Sequence, residues 1–229
     1  MPPDSRGLAD GSTKADGLRP APGGSGGRRL ALLHAAAVPE GDETLEVRPS
    51  EQDPLTGLGN RALFERLLDT WRPGENADLA LILVDLDRFK QVNDTLGHLT
   101  GDALLKLVAG RLAAATRSED RIMRLGGDEF VILQTVRGDL VGARAAAERI
   151  VELIGRVFLV GGHQVHVGAS VGIAALHHGT QHRSDLFQHA DLALYAAKAA
   201  GGGTVRFFEP ALEASARERH ALEIELRRA

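Results

Sequence analysis

An α+β fold built on a ferredoxin-like split βαβ core, a mostly antiparallel sheet with helices, is predicted by three observations. An uninterrupted apolar run, LALILVD at 79–85, ends in an acid, the pattern of a buried strand. Two apolar arms, IMRL and FVIL, flank the turn residues GGDE and read as a β-hairpin. Helical and strand periods follow one another as α-β-α-β-β-α-β-α-β. The β-α-β-β-α-β stretch within that order is the split βαβ unit, expected to carry its helices on one face of the sheet.

Residues 1–50 are expected to be disordered or linker. The first 28 are rich in Pro, Gly, Ser and charge, and they cannot bury enough apolar surface to offset ordering. Residues 29–50 add one short apolar stretch, LALLHAAAV, and then a polar linker. The folded domain is expected over 51–209. ALFERLLDTW places Phe64, Leu67, Leu68 and Trp71 on one helical face. A helix over 101–115 turns Leu104, Leu105, Val108 and Leu112 inward, and one over 139–156 does so with Leu140, Ala147, Ile150, Val151 and Ile154. HVGASVGIAAL alternates at Val167, Ala169, Val171 and Ile173, which makes it a strand. Residues 185–199 read as helix and TVRFF (204–208) as a last strand. Residues 210–229 read as a charged connector helix with a partial apolar stripe.

Composition narrows the partners. The 229 residues are 43% hydrophobic and 25% charged, ordinary for one globular domain with appendages. A net charge of −4, with no basic, aromatic-rich surface, argues against a nucleic-acid partner. No apolar run nears the ~18 residues of a membrane span, and no secretory signal opens the chain, so no membrane partner is expected. The absence of cysteine excludes a disulfide framework and thiolate metal sites, and suits a cytoplasmic location.

The chemistry gathers on acids. Asp85 ends the first strand and Asp128 lies in the hairpin turn, and in a split βαβ sheet these two places share one edge. Two carboxylates there suit Mg²⁺, which takes one or two carboxylates plus waters and phosphates. The paired glycines let backbone approach a ligand closely. Asp87 points to the same strand face as Asp85, either as a ligand or as a turn cap; the turn role is favoured because Asp commonly bonds turn amides. Asp102 reads in its own right as a helix N-terminal acid facing the macrodipole. The histidines, His98 among them, have no metal-ligand spacing.

Five stretches carry a resemblance: DPLTGLGNR (53–61), DLDRFKQVNDTLGHLTGD (85–102), RLGGDEF (124–130), SVGIA (170–174) and ALYAAKAAGG (193–202). In order and spacing they resemble the GGDEF family of diguanylate cyclases, over about residues 50–208. The resemblance implies a nucleotidyl-cyclase, polymerase-palm-like fold. It implies an enzyme that joins two GTP into cyclic di-GMP with release of pyrophosphate, the 3′-hydroxyl of each GTP attacking the α-phosphate of the other across a homodimer of half-sites. It makes Asp85, Asp128 and the Leu86 carbonyl the ligands of Mg²⁺ (or Mn²⁺), Asp128 also the general base, and Glu129 a second acid. Asn93 and Asp102 correspond to guanine readers; a carboxylate accepts from both N1–H and the 2-amino group, which adenine lacks. Lys90 and Lys198 match phosphate-contacting lysines, and the amides around Phe89 and Lys90 would cradle phosphate.

The resemblance also implies a second site. RSED (117–120) matches the family's R-x-x-D product-inhibition motif, with five residues separating its Asp from the first glycine of the signature, and with Arg149 as an added arginine. One position departs from the pattern. Where the family reads A-K-x-x-G-R-N, its arginine holding terminal phosphates, this chain has Gly202. Losing such a charge-assisted contact costs about 1.5–3 kcal/mol of binding. The alternative reading is therefore a catalytically weak or inactive module that binds GTP or cyclic di-GMP to regulate an attached domain. The tail resembles the connector from a GGDEF domain to an EAL-type phosphodiesterase domain.

Overall fold

The structure, a computed structural model, describes residues 47–72, 78–176 and 183–218. The expected disorder of residues 1–46 and the far half of the connector, 219–229, lie outside the described residues. A 3-10 turn at Pro49–Glu51 leads into α1 (Arg61–Thr70), whose N-cap Asn60 accepts a bond from the Leu63 amide at 3.2 Å. There follow β1 (Asp78–Asp87), α2 (Phe89–Leu96), α3 (His98–Ala115), β2 (Arg121–Gly126), β3 (Glu129–Val136) and α4 (Val141–Gly155). Then come β4 (Phe158–Val160), β5 (His163–Val165), β6 (Gly168–Leu176), α5 (Arg183–Ala199) and β7 (Val205–Phe207). Residues 210–218 are helical. Among the described residues no helix is long and apolar enough to cross a membrane.

The main sheet runs β2-β3-β1-β6-β7. β1 is antiparallel to both β3 and β6, and only β7 joins in parallel. The first four strands in that order are those of the split βαβ unit, as the sequence predicts. Two elements go beyond that prediction. The β4–β5 hairpin forms its own two-stranded sheet, and α2 is a separate helix, divided from α3 by Gly97 at φ 82.

The helices of the split βαβ unit, α2, α3 and α4, lie on one face as expected, while α1 and α5, outside that unit, cover the other. Ala80, Ile82, Val84 and Leu86 of β1 pack with Leu104 and Leu105 of α3 and Ala147 and Ile150 of α4. Leu79, Leu81 and Leu83, alternating with them, pack with Leu63 and Phe64 of α1 and Leu186, Ala190 and Leu194 of α5. Successive side chains of a strand point to opposite faces, so an unbroken apolar run demands cover on both. α5 lies unusually close to β6. A Cβ on Gly172 would stand 2.1 Å from the Ala190 carbonyl oxygen, so only glycine admits this approach.

Candidate active site

The antiparallel register sets Asp85 opposite Glu129 of β3 and Ser170 of β6. Directly opposed residues share a sheet face, so Asp85 and Glu129 both point to the side covered by α1 and α5. At the same sheet end the Leu86 amide donates to the Asp128 carbonyl at 3.4 Å, which brings the β2–β3 turn against the end of β1. Gly127 sits in this turn at φ 52, a conformation that suits a residue without a Cβ.

Arg124 fastens the turn, a role that the sequence reading missed. Its Nε and Nη2 donate to the Gly127 carbonyl at 3.0 and 2.7 Å. Its Nη1 donates to both carboxylate oxygens of Asp53, at 3.2 and 3.1 Å. Asp53 also accepts from the Thr56 amide and hydroxyl at 2.9 and 2.6 Å. Burial pushes the Asp53 carboxyl up, but the Thr56 and Arg124 bonds outweigh it and hold the group below the ordinary aspartate range. The available signal was an arginine inside the apolar arm IMRL, just before the glycines.

Asp85 is nearly buried, and its Oδ2 is 2.7 Å from Nζ of Lys198, near the C-terminal end of α5. Burial raises its pKa, the Lys198 ammonium opposes the rise, and the charges of Asp128 and Asp87 add to it. Burial likewise raises the Glu129 carboxyl, with Asp85 and Asp128 contributing repulsion. Asp87 does bond a turn amide, though of a turn distant in sequence: its Oδ2 accepts from the Gly203 amide at 2.8 Å and its Oδ1 from the Ser170 hydroxyl at 2.7 Å.

These groups open on a cleft of about 730 Å³. Its walls include Asp85, Leu86 and Asp128, the candidate metal ligands, together with Phe89, Lys90 and Lys198 and the glycines 201–203. Glu129 is not among the lining residues. A smaller cavity of about 60 Å³ lies elsewhere, beside Gly57, Gly59 and the buried Asp120, and holds none of these groups.

Asn93 and Asp102 stand at the α2–α3 corner rather than in the cleft wall. A Cβ on Gly101 would fall 1.9 Å from Asn93 Oδ1 and 3.3 Å from Phe89 Cζ, so Asn93 and Phe89 both lie over α3 at the residue before Asp102. Phe89 thus bridges cleft and corner. Asp102 is exposed, and because α3 begins at His98 rather than at 101 it stands beyond the first turn. There the helix dipole does little for it, which removes the N-terminal-acid reading.

The three residues of the second site lie away from the cleft, on the α3–α4 side. Arg149, exposed on α4, donates from Nε to the Ala115 carbonyl at 2.9 Å. The Arg117 guanidinium crosses the first turn of α4, where a Cβ on Gly142 would be 3.0 Å from its Nη2. Asp120 is only 3% exposed, and its Oδ2 accepts from the Arg117 amide at 2.8 Å and from Gln134 Nε2 at 2.6 Å. Burial raises its pKa against those two bonds. Asp120 faces inward and shapes the turn that presents Arg117.

The donor set fits a divalent ion. Among the described residues no group of three or more His, Asp or Glu side chains is gathered closely enough to hold a metal, but Mg²⁺ asks for one or two carboxylates and completes its shell with waters and phosphates. The Lys198 ammonium 2.7 Å from Asp85 shows that this one carboxylate faces positive charge.

Comparison with known proteins matches this arrangement to a family. The family model described as "Diguanylate cyclase, GGDEF domain" covers residues 50–204. This chain belongs to the GGDEF family. Among curated relatives, the bifunctional diguanylate cyclase/cyclic di-GMP phosphodiesterase MucR of Pseudomonas aeruginosa is 41% identical over 180 residues, 77% of this chain and 26% of that protein. The probable diguanylate cyclase DgcE of Escherichia coli is 38% identical over 180 residues, 77% of this chain and 16% of that protein. The GGDEF chain therefore spans about a quarter or less of these two relatives. Among solved structures, the GGDEF domain of YfiN from Pseudomonas aeruginosa matches with a TM-score of 0.67 at 33% identity, covering 72% of this chain and 99% of that one. The GGDEF domain of DgcB from Caulobacter crescentus, in complex with c-di-GMP, matches with a TM-score of 0.64 at 28% identity, covering 70% and 96%.

Proposed function

We propose that residues 51–209 form a diguanylate cyclase domain that condenses two GTP into cyclic di-GMP and two pyrophosphates, with residues 1–50 as a linker and 210–229 as a connector helix. The observation that carries this reading is the meeting of Asp85, Asp128, Lys90 and Lys198 on one cleft, beside the corner that bears Asn93 and Asp102. Asp102 and Asn93 take the Watson–Crick edge of guanine, which selects GTP over ATP. Phe89 joins that corner to the cleft, so a nucleotide seated there runs its phosphates toward Lys90 and Lys198 and the first amides of α2. Asp85, the Leu86 carbonyl and Asp128 would hold Mg²⁺ or Mn²⁺, which when bound supplies positive charge beside the phosphates.

Asp128 accepts the proton of the 3′-hydroxyl as that oxygen attacks the α-phosphorus of the second GTP. The bond to the pyrophosphate leaving group breaks, and a repeat in the opposite sense closes the ring. One cleft holds one GTP, so two copies of the domain must face each other. Arg117, presented by the turn that Asp120 anchors, and Arg149 on α4 form a separate product-binding face that lowers activity as cyclic di-GMP accumulates. Linear progress curves for Arg117→Ala where wild type flattens support that assignment; identical curves remove it.

The deciding experiment is incubation of purified protein with GTP and Mg²⁺, followed by chromatography for cyclic di-GMP. Product in wild type and none in a folded Asp128→Ala variant is the expected outcome. Nucleotide binding without product, even at high protein concentration, favours the regulatory binding module, the reading to which Gly202 lends weight.

A further inference from the structure

Arg88 is the single non-glycine residue with positive φ among the described residues. It links β1 to α2 at φ 65 and ψ 18, in the left-handed region. A side chain pays a steric penalty there that glycine escapes. Backbone strain of this kind persists at functional sites, where the surroundings fix it. The Arg88 side chain is exposed and makes no hydrogen bond or ion pair among the described residues. It lines the same cleft as Lys90 and Lys198. Lys198 is already paired with Asp85, which leaves Arg88 and Lys90 as the cleft cations without a partner among the described residues.

The space beside Arg88 is also defined. A Cβ on Gly202 would begin 3.1–3.2 Å from the carboxylate of Asp87, the residue that precedes Arg88. Glycine at 202 sends no side chain into the cleft that Arg88 also lines, so that space stays open to a ligand. A guanidinium is the side chain best suited to such a place, since its planar fork donates to two phosphate oxygens at once. We infer that Arg88 is a phosphate-binding residue whose guanidinium takes the terminal phosphate of a nucleoside triphosphate in the space that Gly202 leaves free. The inference rests on the GTP reading above.

Calorimetric titration tests it with 3′-deoxy-GTP, which lacks the attacking hydroxyl, and with GMP, which lacks the terminal phosphates, each with Mg²⁺. Arg88→Ala should bind 3′-deoxy-GTP about tenfold more weakly or worse, the value of one charge-assisted contact, with GMP affinity unchanged. Arg88→Gly relaxes the backbone and should show the same loss, while Arg88→Lys should recover part of it. A role confined to backbone geometry predicts the contrary, with triphosphate affinity intact in the glycine variant. Wild-type affinity for 3′-deoxy-GTP in both the alanine and glycine variants overturns the inference and leaves the GTP reading standing. If the wild type binds neither nucleotide, the GTP reading falls and this inference with it.

Discussion

Asp53 and Arg124 show how single residues hold a site they do not enter. They are 71 positions apart, yet their half-buried pair fixes the turn on which Asp128 rides. Because the folded-state pKa of Asp53 is depressed, its contribution to stability is fully present above the unfolded value and is lost as pH falls through the folded one. Thermal melts between neutral pH and about pH 3 should therefore show a loss of stability on acidification that Asp53→Asn diminishes. At neutral pH the same variant should cost roughly 1–3 kcal/mol, the value of a charged hydrogen-bond partner removed from a partly buried guanidinium. Unchanged melts would reduce the pair to a surface contact. Asp87 makes a similar long-range tie, from the end of β1 to Ser170 and to the Gly203 amide. The sequence exposes all of these side chains but not their partners, because such pairs form only after the strands align.

Among the elements, α5 decides most about the cleft, since it delivers Lys198 to Asp85. Its position depends on contact with β6 at Gly172, where the helix backbone passes too close for any side chain. Gly172→Ala should push α5 off the sheet, destabilise the fold by about 1–3 kcal/mol and weaken nucleotide binding by displacing Lys198. Urea titration and nucleotide titration measure the two effects. Loss of neither would mean that the helix shifts without cost. The strands and long helices were legible from their periods. β4 and β5, three residues each, are too short for a period to register, and the helix expected from 101 actually starts at His98. The two-sided burial of β1 was implicit in LALILV, whose unbroken apolar run satisfies both sheet faces.

For the whole molecule, the described residues form one cleft bearing the proposed metal ligands, beside one corner bearing the proposed guanine readers. A reaction that joins two GTP by two reciprocal attacks then needs two chains. Initial rates per mole of protein should fall on dilution as the paired half-sites separate. A constant specific rate across a wide dilution series would show that a single chain suffices, or that the pair never dissociates; light scattering on the same samples distinguishes the two. The relatives place this domain within longer proteins, and the chain spans only a fraction of their length.

The sequence by itself determined the family, the order of the longer elements and the types of residue available for chemistry, because motif spacing and hydrophobic period are local properties written directly along the chain. Tertiary structure alone decided that Lys198 lies on Asp85, that Arg124 clasps Asp53 and Gly127, that Asp120 turns inward to Gln134, and that Arg88 stands strained in the cleft with no partner among the described residues. Those outcomes depend on sheet register and helix placement, which bring together residues that no spacing rule connects.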